Sequence, residues 1–101
     1  MELNTLIDRI GYIRDRAKLS ARKLSMEIGK NPGYIHMLET TKNFAPTFET
    51  LIDIIETCNS STEEFFYYDI RAYKQDSQII ELLKTTRDEE KKSAIISLLK
   101  K

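Results

Sequence analysis

Between Ser20 and Asn43 the chain gathers side chains suited to binding phosphates and base edges, and none that suit bond-making chemistry. Arg22, Lys23, Lys30 and Lys42 are cations and Asn43 carries an amide, the residue types that hold phosphate oxygens. Asn31 and His36 can donate to or accept from a base edge, and Met37 can touch an apolar methyl. Catalytic sets are missing: there are no paired carboxylates, no nucleophile with its base and no glycine-rich phosphate loop. His36 is the single histidine and has no nearby cysteine, so no metal set is expected. The expectation is a binding protein without a cofactor, not an enzyme.

These side chains need short helices to present them. Ser20 is a good N-cap for a helix over Ala21 to Ile28, whose inner face holds Ala21, Leu24, Ser25 and Ile28, and Gly29 follows where a left-handed residue would stop it. Asn31-Pro32 then supplies a capping side chain and a residue whose fixed φ suits the first helical position. A helix from Pro32 to about Glu39 buries Ile35 and Leu38, which turns Gly33, Tyr34, His36 and Met37 outward. Tyr34 is expected to pack partly against the first helix or the following loop.

Flanking elements fall in register. Leu6, Ile10, Ile13 and Ala17 form one face of a first helix, which a Thr5/Asp8 capping box is expected to start near Thr5 and which ends near Lys18. A polar loop follows Thr40, with Phe44 expected to tuck under the domain. Thr47 caps a fourth helix whose stripe is Phe48, Leu51, Ile55 and Cys58, with Asn59 as its stop, and Ser61 with Glu64 opens a short fifth that ends in Phe65 to Tyr68. Asp69 to Gln75 is the linker candidate. Ile79, Leu82 and Leu83 mark one short terminal helix and Ala94, Ile95, Leu98 and Leu99 another, separated by a turn around Thr85 to Asp88.

Leu19, Ser20, Leu24, Ile28, Gly29, Tyr34, Ile35, Leu38, Glu39, Pro46, Leu51 and the Ser61 to Phe66 segment together resemble the Cro and phage-repressor type of helix-turn-helix, the xenobiotic-response-element family of regulators. The resemblance spans about Leu6 to Phe66. It implies a five-helix lambda-repressor-like DNA-binding domain over residues 1–68, to which the apolar spacing farther along adds a linker and C-terminal helical hairpin over 69–101, so the expected fold is all-α. It also implies a homodimer on a partly palindromic operator and sequence-specific double-stranded DNA binding by a transcriptional regulator, expected to be a repressor, through the helix-turn-helix at 20–39. Asn31, Gly33, Tyr34, His36 and Met37 become the candidates for base contact, and Arg22, Lys23, Lys30, Lys42 and Asn43 those for phosphate. Ala21 stands where the family commonly has glutamine, Ser25 where a small apolar residue sits, and Thr41 where glycine follows. With no Arg or Lys on the third helix, arginine-to-guanine readout is not available from it.

Composition agrees with a small helical protein. The 101 residues suit one domain with, at most, a terminal extension, and only three Gly and two Pro interrupt them. Net charge is zero, but residues 1–50 carry eight basic against six acidic side chains and the remainder eight against ten. Arg14, Arg16 and Lys18 read as the solvated, dipole-compensating end of the first helix. Cys58 has no second cysteine to pair with and reads as inert core, and no signal peptide or membrane span is expected, so the expected compartment is the cytoplasm. A protein-interaction module, such as an anti-repressor or an antitoxin-like partner, is the other reading of the same fold. Phe65 to Tyr68 are expected to close the core, and on either reading the terminal hairpin covers the seam there or forms part of a dimer interface.

Overall fold

The structure, a computed structural model, describes residues 1–85 and 89–100. It is all-helical among those residues: α1 (Leu3–Arg16), α2 (Ala21–Glu27), α3 (Tyr34–Thr40), α4 (Phe48–Thr57), α5 (Thr62–Phe65), α6 (Tyr73–Thr85) and α7 (Glu89–Leu99). None of the described helices is long and apolar enough to cross a membrane. The chain divides into two compact units, Met1–Tyr67 and Tyr68–Lys101.

The core of the first unit follows from the apolar spacing along α1, α3 and α4. Ile10 and Ile13 of α1, Ile35 and Leu38 of α3, and Leu51, Ile54, Ile55 and Cys58 from α4 and its C-cap are buried, with Leu24 and Phe65 beside them. Phe48 does not join that stripe. It is 72% exposed, because the first residue of α4 lies at the rim of the core layer and the inward positions are taken by Leu51, Ile54, Ile55 and Cys58. Of the aromatic group at 65–68 only Phe65 enters the core, whereas Phe66 and Tyr68 are exposed.

Three helices end in the same way. The amides of Lys18 and Leu19 return to Asp15 and Arg14 at 3.0 and 3.2 Å, those of Gly29 and Lys30 to Met26 and Ser25 at 3.1 and 2.9 Å, and those of Asn59 and Ser60 to Glu56 and Ile55, both at 3.0 Å. These are Schellman closures, which need a left-handed residue after the helix, and Lys18, Gly29 and Asn59 have φ of 58°, 74° and 57°. Helix starts are less uniform. Thr47 and Ser61 accept the amides of Thr50 and Glu64 as expected, but α1 begins two residues before Thr5. Its first bond runs from the Leu6 amide to the Glu2 carbonyl, so Thr5 and Asp8 lie inside the helix and no capping box forms there.

In the second unit the linker is shorter than the polar stretch suggests. Asp69 Oδ1 accepts the Arg71 amide, the Ala72 amide reaches the Asp69 carbonyl, and α6 begins at Tyr73. Leu82, Leu98 and Leu99 are exposed. The turn expected around Thr85 to Asp88 falls on 86–88, outside the described residues, as does the side chain of Ile95.

Candidate nucleic-acid interface

The segment from Ser20 to Asn43 is built on a lock between α2 and α3. Ser20 Oγ accepts the Lys23 amide at 3.0 Å and starts α2, which buries Leu24 and Ser25. Ser25 is fully buried and uses both hydroxyl functions: it donates to the Ala21 carbonyl at 2.7 Å and accepts the Ile35 amide at 2.9 Å. The Ile35 amide is one of the first four of α3, which have no partner inside their own helix. Ser25 therefore satisfies a buried donor across the turn and fixes where α3 begins. An apolar residue at that position would leave the donor unpaired.

The turn departs from expectation at Asn31 and Pro32. Asn31 Oδ1 accepts the Gly33 amide at 2.8 Å, and the Tyr34 amide reaches the Asn31 carbonyl at 3.0 Å. Pro32 and Gly33 thus lie in a turn stabilised by Asn31, and α3 starts at Tyr34 instead of Pro32. The side-chain Oδ1 of Asn31 is engaged in the turn, and its amide NH2 is the donor Asn31 can offer a ligand.

Gly33, His36 and Met37 are exposed together on one side of this turn and helix, while Ile35 and Leu38 point inward. Tyr34 goes another way. Its half-buried ring meets Phe44 edge-on, with centroids 5.8 Å apart and planes at 69°, and the Lys30 ammonium lies 5.5 Å from its centroid. Burial raises the phenol's pKa against a smaller opposing hydrogen bond with Thr50. Tyr34 is thus held in packing with the loop, and the exposed Lys30 ammonium lies beside its ring.

The cations fall into two groups. Arg9 donates to the carbonyls of Phe65, at 2.6 Å, and Tyr67. Arg14 grips both oxygens of Glu39 at 2.9 and 3.1 Å and donates to the Leu19 carbonyl at 3.0 Å. Arg16 grips both oxygens of Glu64 at 2.8 and 2.6 Å, an interaction that raises its pKa. Arg14 and Arg16 are therefore not a solvated helix end, because their partners lie 25 and 48 residues away on α3 and α5. Arg22, Lys23 and Lys42 are exposed, and among the described residues their side chains have no hydrogen-bonding or ionic partner. Asn43 is exposed beside Lys42 in the left-handed region at φ 63°.

Sequence reasoning missed Ser25 as a connector, although a serine on an otherwise apolar inner face was the available signal. The Arg14–Glu39 pair, which ties α1 to the end of α3, left no local signature. Cys58 is buried and desolvation pushes its thiol up to about 11, so it is a poor nucleophile. Comparison with protein-family models, curated proteins and solved structures finds no match to the chain.

Proposed function

We propose that Ser20 to Glu39 is a helix-turn-helix of the Cro and phage-repressor type on a five-helix, lambda-repressor-like domain. The protein is then a sequence-specific double-stranded DNA-binding regulator of transcription, acting as a repressor. The observation that carries this reading is the Ser25 lock, which holds α3 at a fixed start and leaves Gly33, His36 and Met37 exposed, with Arg22, Lys23 and Lys42 exposed on the flanking segments. A rigid two-turn helix with a bare outer face fits the major groove.

In this reading His36 contacts a base or phosphate, Met37 a thymine methyl, and the Asn31 amide a base edge or phosphate. Arg22, Lys23, Lys42 and Asn43 hold the backbone, with Lys30 adding charge from above Tyr34. Specificity rests on hydrogen-bond and methyl contacts, since α3 has no arginine for guanine.

Fluorescence anisotropy of the full chain against duplexes from the gene's upstream region, at low salt and with random duplex as competitor, tests the proposal. Selective binding that weakens steeply with salt is expected. Folded protein that binds no duplex better than random sequence refutes it.

The exposed apolar residues Leu82, Leu98 and Leu99 support a homodimer formed through residues 69–101. Light scattering should then report a dimer for the full chain and a monomer after truncation beyond Tyr68. Phe48 and Tyr68, exposed at 72% and 78%, favour the second reading, a protein-interaction module. A stoichiometric partner copurifying with a chain that lacks DNA affinity would establish that reading in place of the first.

A further inference from the structure

Lys18, in the connection between α1 and α2, is an exposed cation with no task inside the chain. Among the described residues its ammonium has no hydrogen-bonding or ionic partner. Its backbone conformation is also the wrong one for its residue type. Of the three left-handed helix stops, Gly29 and Asn59 carry the residues that tolerate positive φ best, whereas the third carries lysine at φ 58°. A β-carbon in that conformation crowds the following carbonyl oxygen, which glycine would avoid. A cation at an exposed helix end gains less from the helix dipole than this crowding costs, and Arg14 and Arg16 already stand in the last turn of α1.

The backbone that carries Lys18 is held on both sides. Its own amide returns to the Asp15 carbonyl and that of Leu19 to the Arg14 carbonyl, at 3.0 and 3.2 Å. The Leu19 carbonyl accepts from Arg14 Nη1 at 3.0 Å, and Ser20 caps α2 next in the chain. Lys18 is therefore anchored at the start of α2, the same end of that helix as Arg22 and Lys23. The first helix of a helix-turn-helix crosses the DNA backbone, so cations gathered at its start are placed against phosphates.

We propose that Lys18 holds this unfavourable conformation for the sake of its charge and binds a phosphate of the DNA backbone, extending the grip of Arg22 and Lys23. The inference rests on the DNA-binding reading. A phosphate contact carries no base preference, so Lys18 strengthens binding to every duplex alike.

Urea denaturation of the full chain, and its fluorescence anisotropy with a random-sequence duplex over a range of salt, measure the two effects separately. Lys18→Gly is expected to raise the urea midpoint by about 0.5 M. The same variant should bind duplex about fivefold more weakly at low salt and reduce the slope of log affinity against log salt by about 0.9. Lys18→Arg, which keeps the charge, should bind within about twofold of the parent. Asn59→Gly, which relieves the stop after α4, should leave duplex binding unchanged. A parent that binds duplex while Lys18→Gly binds equally tightly with the same slope overturns this inference and leaves the DNA-binding reading standing. A Lys18→Gly midpoint that does not rise overturns it too, because the lysine would then serve the stability of α1. So does a Lys18→Arg variant as weak as Lys18→Gly, or an equal loss in Asn59→Gly. A folded parent that binds no duplex overturns both.

Discussion

Replacing Ser25 by alanine separates two roles of one hydroxyl. The hydroxyl donates to Ala21 one helical turn back and accepts the Ile35 amide from the next helix. The donated bond is dispensable, because the Ala21 carbonyl already serves the helix. The accepted bond is not, because Ile35 is fully buried and its amide would have no substitute partner. Leaving a buried amide unsatisfied costs about 1–3 kcal/mol, and alanine returns roughly 0.5 kcal/mol through its better helix propensity. The net loss is about 1.5 kcal/mol, which at a slope near 1.5 kcal/mol per molar lowers the urea midpoint by about 1 M. Thr40 supplies the control, since its hydroxyl makes the same backward bond to the His36 carbonyl at 2.7 Å on the exposed side of α3. Thr40→Ala should move the midpoint by less than about 0.3 M. A Ser25→Ala midpoint within about 0.2 M of the parent, or a Thr40→Ala loss as large as that of Ser25→Ala, would refute the reasoning.

Removing Arg16 takes the bidentate cation away from Glu64, whose side chain is 5% exposed and also accepts from Ser60. Arg16→Ala should cost about 3 kcal/mol in chemical denaturation, the low end for buried pairs because the guanidinium stays a quarter exposed. Native Cys58 should resist a disulfide reagent at pH 8 and react fully only in denaturant. Its folded thiol lies at about 11 against an ordinary 9.0, so the unfolded chain releases its proton first. That contribution to stability is complete below pH 9 and declines as pH rises toward 11, which denaturation across that window will detect. In anisotropy assays, Arg22→Ala or Lys42→Ala should weaken binding to all duplexes alike and reduce the salt slope by about one unit each. His36→Ala or Met37→Ala should instead narrow the gap between operator and random sequence, and the reverse pattern would contradict the assigned roles.

What the sequence made legible was whatever is written within one helical turn. Ser20, Thr47 and Ser61 were readable as caps because a cap bonds a residue three positions away, and Gly29 and Asn59 as stops because few residues tolerate positive φ. Lys18 adopts the same conformation without any compositional sign of it. The arginines were misread for the opposite reason: their carboxylate partners are set by packing, and no local pattern links Arg14 to Glu39 or Arg16 to Glu64. The start of α3 was misplaced because Asn31 had two local uses, capping a helix or stabilising a turn, and Ser25 favours the second by supplying the acceptor that a cap would have provided.

The three arginines of α1 have a consequence for how the first unit comes apart. Arg9, Arg14 and Arg16 fasten one fourteen-residue helix to chain segments 56, 25 and 48 positions away, so both ends of the unit are stitched to the same rod. Neither α1 nor α5 can fray without releasing the other. Opening α1 also releases the end of α3. Amide hydrogen exchange in these three elements should therefore proceed as a single cooperative event, with one shared opening free energy and no graded loosening from the termini inward.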